Sequence, residues 1–167
     1  MTEPNSIARW KRLPDLQLSI RAAAAAGIAI AAARWLNLQF PIYAMISAVV
    51  VTDLSSTETR KLGPARMAGT ILGAVIGATI NIALPSGAWT IALGIFAAMF
   101  LSRFVNLRDA KLAGYVSGIV LLDHGQQPWT YAFLRVVETG LGILAAILVS
   151  FIPKLIKTPP EDSAQSK

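Results

Sequence analysis

Arg66-Met67-Ala68-Gly69-Thr70-Ile71-Leu72-Gly73 reads against Arg135-Val136-Val137-Glu138-Thr139-Gly140-Leu141-Gly142, an offset of 69 residues. Two further blocks match in the same order. Ala33-Arg34-Trp35-Leu36-Asn37-Leu38 corresponds to Ser102-Arg103-Phe104-Val105-Asn106-Leu107, and Ile46-Ser47-Ala48-Val49-Val50-Val51-Thr52-Asp53 to Val116-Ser117-Gly118-Ile119-Val120-Leu121-Leu122-Asp123. Three ordered matches, with a one-residue wobble in offset, point to an internal repeat. Each unit holds three apolar segments, and an odd number of crossings inserts the second copy upside down. Inverted repeats of this kind recur among membrane transporters.

Composition sets the class. Of 167 residues, 54% are hydrophobic and only 14% charged, where a soluble domain is nearer ~25% charged. The apolar residues run in long stretches with short polar punctuation, which predicts an all-α polytopic membrane protein. Six transmembrane helices are expected at Leu16–Leu38, Phe40–Leu54, Arg66–Leu84, Ser86–Val105, Asp109–Asp123 and Pro128–Pro153. They form a 3+3 inverted repeat, with units at about 16–84 and 86–153. The Ala22–Ala26 run favours helix over strand, and the runs lack the alternation of an outer-membrane barrel. Residues 1–15 read as a cytoplasmic or interfacial segment and 154–167 as a disordered cytoplasmic tail. The first span reads as a retained anchor, because no small-residue cleavage site follows a short apolar core.

A net charge of +6 invites a nucleic-acid reading, but its distribution argues against one. Lys and Arg gather at every second boundary: Arg9, Lys11 and Arg12; Arg60, Lys61 and Arg66; Arg103, Arg108 and Lys111; Lys154, Lys157 and Lys167. This is the positive-inside pattern, with both termini cytoplasmic and Trp35, Trp89 and Trp129 at the outer boundary. Arg34 is the basic residue on the wrong side; it matches Arg103 in the repeat, and inversion requires one of that pair to face out. The expected location is a bacterial inner membrane.

Spans two and five are short, about 22 Å against a hydrocarbon core of ~30 Å. Short helices at matching places in the two units point to a binding site, or else are ordinary helices in a locally thinned bilayer. Gly69, Gly73 and Gly77, with Gly114 and Gly118, form small-residue ridges that suit tight helix packing; the alternative is a seam between copies. Charges inside a membrane need a reason. Arg135 and Glu138 share one helical face, as a buried ion pair or as part of a path. Arg21 either snorkels to the headgroups or joins that path. In the repeat, Arg66 pairs with Arg135 and Asp53 with Asp123, one of each pair near each face. The candidate path is therefore Arg66, Arg135, Glu138, Arg21, Ser47 and Ser117. In it the two arginines form separate basic vestibules, Asp53 and Asp123 position or neutralise them, and Glu138 couples protons.

His124, the single histidine, reads as a turn residue rather than a proton sensor, and without thiols a zinc site is not expected. No phosphate-binding loop ends in Gly-Lys-Ser/Thr, so no ATP site or other cofactor is expected. Pro85-Ser86-Gly87 with Ser102-Arg103 resembles part of a lipid-phosphate phosphatase signature, but that signature needs histidines these positions lack. No enzymatic activity is expected.

Tyr43-Ala44-Met45-Ile46-Ser47-Ala48-Val49-Val50-Val51, the Arg66–Gly77 stretch, Ile20-Arg21-Ala22 and Leu134–Gly142 together resemble the membrane domain of the fusaric acid resistance and aromatic acid exporter superfamily. The resemblance covers nearly all of residues 16–153. It implies a six-helix unit that moves organic, often aromatic, carboxylate anions. Many members carry a cytoplasmic domain or second membrane unit; neither is expected here, and a homodimer or larger oligomer is expected instead. Expected partners are the lipid bilayer, small organic anions and a periplasmic adaptor subunit. The alternative is a non-transporting accessory or scaffold subunit.

Overall fold

The computed structural model describes residues 13–105, 110–122 and 127–152. Among these, six helices follow one another: α1 (Leu13–Trp35), α2 (Pro41–Val51), α3 (Ser56–Ala83), α4 (Ala88–Phe104), α5 (Ala110–Leu122) and α6 (Pro128–Ser150). Three are long and apolar enough to cross a membrane, at Leu16–Trp35, Ser56–Ala83 and Pro128–Ser150. The other three are apolar but shorter. At 1.5 Å per residue, the 11 residues of α2 and the 13 of α5 reach only about 16 and 20 Å.

One boundary differs from the apolar pattern by almost three turns. The third apolar stretch begins at Arg66, but its helix begins at Ser56. Thr57 to Lys61 is polar yet helix-compatible, and the start is organised by local hydrogen bonds. Asp53 Oδ1 accepts from the Ser55 N–H at 2.9 Å, and the buried Thr59 hydroxyl accepts from the Asp53 N–H at 3.0 Å. Pro64 lies inside this helix, where it removes one backbone hydrogen bond without ending it. Arg66 therefore sits in the third turn of α3 instead of at its start.

The turn from α1 to α2 is equally specified. Leu38 N–H bonds to Ala33 O and Asn37 N–H to Arg34 O, with Asn37 at φ 53°. This is a Schellman cap, with Asn in the left-handed conformation that its side chain tolerates. Pro41 then opens α2 with its φ already set for helix.

Packing relies on small side chains. Ala25, Ala29 and Ala33 recur every fourth residue and give α1 a flat face. That face meets Ala44, Ala48 and Val51 of α2 and Ile143, Ala146 and Val149 of α6. A second cluster joins Ala74 and Ala78 of α3 to Leu112, Val116 and Val120 of α5, with Tyr131 and Ala132 from α6. The ridge of Gly69, Gly73 and Gly77 is buried inside the chain against Leu112, Ala113, Val116 and Val120. Gly114 and Gly118 face Met99 and Ile95 of α4 in the same way. Helix association in lipid depends on such close van der Waals contact, since burying apolar surface gains little there. In sum, α3 packs on α5, α6 and α4, while α6 packs on α2, α3 and α1.

Candidate functional site

The central helices α3 and α6 meet at two threonines 69 positions apart. Thr139 Oγ1 lies 3.4 Å from Thr70 Oγ1, both hydroxyls buried, and Thr70 in turn donates to the Arg66 carbonyl at 3.0 Å. Arg66 and Arg135 each lie four residues before their threonine, one turn or about 6 Å along the helix. An arginine side chain spans that distance. Both therefore line one pocket, together with Tyr43, Tyr115, Thr70 and Thr139. The space amounts to about 240 Å³ with its open mouth included. This corrects the expectation of two separate vestibules, and the cause is the crossing of α3 with α6 at Thr70 and Thr139.

The two guanidiniums are buried, with exposures of 8% for Arg66 and 3% for Arg135. Their surroundings differ. Arg66 Nε donates to Ser47 Oγ at a long 3.4 Å, and its guanidinium lies 5.3 Å from the Tyr115 ring centre. Arg135 is caged. It donates to the Tyr131 hydroxyl and lies against the rings of Tyr43, Tyr131 and Phe40. Phe40 meets the other two edge-on, with ring centres 6.2 Å from Tyr43 and 5.2 Å from Tyr131. Arg135 Nε has no hydrogen-bond partner.

Glu138 is fully buried. Its Oε1 accepts from the Phe40 N–H at 2.9 Å, so α6 caps the start of α2, where no side chain of the turn does so. Oε2 has no partner. Glu138 interacts with the Arg135 charge through space, yet the two do not form a salt bridge. The buried ion pair allowed for in the sequence is thus absent, although the two share a face. Among the described residues the salt bridge is Lys61–Glu58, an exposed pair on α3.

The remaining candidates divide. Ser47 joins Arg66 as described. Ser117 is buried beside Gly94, its hydroxyl has no partner, and it does not line the two-arginine pocket. Arg21 does not snorkel: it is 5% exposed and donates to the carbonyls of Leu54 at 2.9 Å and Ile152 at 2.6 Å, with Asp53 O at 3.5 Å. It ties α1 to the C-terminal ends of α2 and α6, away from the pocket. Asp53 serves the turn before α3 and makes no salt bridge to Arg66. Asp123 and His124 lie outside the described residues. No cluster of three metal-ligating side chains occurs among the described residues.

The pocket residues not anticipated are Thr70, Thr139, Tyr43 and Tyr115. The threonines carried a signal, being polar at matched positions of two apolar blocks. The tyrosines carried none, because they are not repeat mates and reach the pocket only through helix crossing.

The family model described as "Fusaric acid resistance protein-like" matches residues 28–149. The chain is also 30% identical over 165 residues to a protein named "Uncharacterized transporter YdhK" of Escherichia coli (strain K12), and equally to its counterpart in Escherichia coli O157:H7. The match takes in 88% of this chain and 23% of each relative, so the chain spans about a quarter of their length. No solved structure matches it. With the match of the family model extending over most of its helices, the chain belongs to the fusaric acid resistance protein-like family.

Proposed function

We propose that this chain is a membrane unit that moves organic carboxylate anions through the pocket shared by Arg66 and Arg135. The observation that carries the reading is the pair of buried guanidiniums on one pocket, neither in a salt bridge among the described residues. An arginine at the centre of a membrane helix costs about 2.5–3.5 kcal/mol even on the mildest scales. A contact with an aromatic face offsets about 0.5–2 kcal/mol of that. Arg66 has one such contact, a side-chain hydrogen bond with Tyr115 and a long one to Ser47, all with neutral groups, so its charge has no counter-charge among the described residues and an anion would supply one. A carboxylate suits the planar fork of a guanidinium. Tyr43 and Tyr115 in the same lining favour cargo that carries an aromatic ring. The name "transporter" given to the relative supports the same class of activity.

We read all six helices as spans, in two inverted three-helix units with both termini cytoplasmic in an inner membrane. Exchange of α1 with α4, α2 with α5 and α3 with α6 turns each helix contact into another. Thus α1–α2 becomes α4–α5, α3–α5 becomes α6–α2, and α1–α6 becomes α4–α3. A Cβ placed on Gly73 would meet the carbonyl of Ala113, and one on Gly142 the carbonyl of Ala44. Both members of each pair are 69 positions apart. Movement is driven by the cargo gradient, the membrane potential or protons carried by Glu138, and the working unit is a homodimer or larger oligomer.

The test is flux of benzoate-like and dicarboxylate anions into liposomes under an imposed voltage. Arg66→Met and Arg135→Met are each expected to lower flux about ten- to hundredfold, the equivalent of ~1.4–2.7 kcal/mol of lost charge-assisted bonding. Folding is checked by circular dichroism. Undiminished flux from folded double variant would refute the path. No flux from folded wild type would move the reading to an accessory subunit.

A further inference from the structure

Arg21 has a counterpart. The 69-residue offset takes Gln17 and Arg21 of α1 to Ser86 and Thr90 at the start of α4. It takes Ser150 at the end of α6 back to Asn81 near the end of α3, and the one-residue wobble in that block takes Thr52 beyond α2 to Leu122, next to Leu121 at the end of α5. In the first unit the Arg21 guanidinium lies near these residues and binds the carbonyls of Leu54, in the turn between α2 and α3, and of Ile152, just beyond α6. In the second unit the arginine is a threonine, and the corresponding space is open. A pocket of about 200 Å³, mouth included, is lined there by Asn81, Leu84, Ser86, Thr90 and Leu121, among others.

The lining is rich in acceptors. Asn81 directs Nδ2 to the Val120 carbonyl at 3.4 Å, which leaves its amide oxygen for another donor. Thr90 donates to the Pro85 carbonyl at 2.6 Å and so presents lone pairs. The ends of α3 and α5 each carry about half a negative charge on their last carbonyls, and the start of α4 about half a positive one. Two against one leaves the pocket net negative, and among the described residues no charged side chain lines it.

We infer that this pocket binds a cation that donates N–H hydrogen bonds, a guanidinium or primary ammonium group, in the place Arg21 occupies in the other unit. The inference rests on the 69-residue correspondence and not on the two-arginine path, so its failure leaves the flux test untouched. The site is distinct from the anion pocket and supplies a place for a second, oppositely charged ligand.

The experiment is thermal unfolding of the full chain in nanodiscs with methylguanidinium chloride, against tetramethylammonium chloride at equal concentration, which has no N–H. A saturable rise in Tm is expected with the first and not with the second. Thr90→Arg should raise Tm without ligand and abolish the response, because the side chain then fills its own site. Thr90→Val, which keeps the shape and loses the acceptor, should weaken binding about fivefold. In Arg21→Ala, methylguanidinium should restore part of the lost Tm. Nanodiscs made with phosphatidylethanolamine distinguish the source of the cation. A response confined to discs without that lipid means the headgroup is the occupant, and a response in both means a free ligand. No saturable response in either disc, or responses in Thr90→Arg and Thr90→Val equal to wild type, would overturn the assignment.

Discussion

Adding one methyl group to Gly73 tests how the bundle is held together. A Cβ built there lies 2.9 Å from Val116 Cβ and 3.1 Å from the Ala113 carbonyl carbon, and closer still to the Ala113 oxygen. Carbon atoms in contact sit at about 3.5–4.0 Å, so α3 and α5 must part by at least ~0.6 Å. The obstructing atoms are backbone and a β-branched root, with Ala113 0% and Val116 5% exposed, so no flexible side-chain end can yield. Overpacking of this kind costs about 1–3 kcal/mol. Alanine recovers up to ~1 kcal/mol in helix propensity, which leaves Gly73→Ala about 0–2 kcal/mol less stable than wild type and about 1–3 kcal/mol less stable than Gly27→Ala. Gly142→Ala should behave alike, since its Cβ would meet the Ala44 carbonyl, Ser47 Cβ at 2.8 Å and Ala48 N at 2.9 Å. Gly27 on α1 is the control: a Cβ there meets nothing within 4 Å, so Gly27→Ala should be neutral or up to ~1 kcal/mol more stable. The assay is reversible unfolding in mixed micelles, followed by helicity as the denaturing detergent fraction rises. Stability of Gly73→Ala within about 0.5 kcal/mol of Gly27→Ala would refute the close-packed crossing. A large cost at Gly73 with none at Gly142 would refute the equivalence of the two units.

Glu138→Ala leaves the Phe40 N–H buried without an acceptor, and a loss of about 1–3 kcal/mol is expected in the same unfolding assay. Glu138→Gln keeps an acceptor oxygen, so stability should stay within ~1 kcal/mol of wild type while any pH dependence of anion flux disappears; unchanged pH dependence would end the proton role. Arg21→Met should cost about 2–3 kcal/mol through its two short carbonyl bonds, yet leave flux per folded molecule unchanged, because Arg21 lines no part of the two-arginine pocket. Tyr131→Phe removes the acceptor of Arg135 and should cost about 1–2 kcal/mol against wild type in the same assay; unchanged stability would show that the bond contributes nothing.

The all-helical architecture was legible because apolar runs and their punctuation report directly on helix placement, and a 69-residue self-match needs no structure to be seen. The helix ends were less so. Hydropathy marks where α3 becomes apolar, at Arg66, but not where its helix begins, at Ser56, because a polar segment can be helical outside the apolar layer. The burial of Arg66 comes from the crossing of α3 with α6 at Thr70 and Thr139, which hydropathy does not report. Side-chain pairing was the least legible. Arg135 and Glu138 share a face, which says they can meet; but the Phe40 N–H at the start of α2 takes the carboxylate, and three rings take the guanidinium. Of those partners only Tyr131 lies on the same helix; Phe40 and Tyr43 come from the start of α2, more than ninety positions away. Sequence spacing within one helix carries no information on such competition. The intrachain fate of the Gly69–Gly77 ridge was similarly undetermined, since a small-residue face fits any close neighbour.

The repeat also sets what the site can do. A duplicated Arg and Thr give two equivalent charges around the α3–α6 crossing, but the aromatic residues are not duplicated. The offset takes Phe40 to Asp109, Tyr43 to Leu112 and Tyr131 back to Leu62. Arg135 is therefore held by three rings and the Tyr131 phenol, and Arg66 by one ring, that of Tyr115, with its phenol and a long bond to Ser47. The less restrained guanidinium has more donors to give and more to gain from an anion. If the pocket takes an anion as proposed, Arg66 is thus the arginine that should govern its affinity. Arg135 fixes the field of the pocket while its neighbour Glu138 holds the α1–α2 turn in place. On the proposed reading, a symmetric skeleton with an asymmetric lining would offer an anion two unequal contacts, so Arg66→Met should raise the concentration needed for half-maximal flux more than Arg135→Met does; equal shifts would refute the asymmetry.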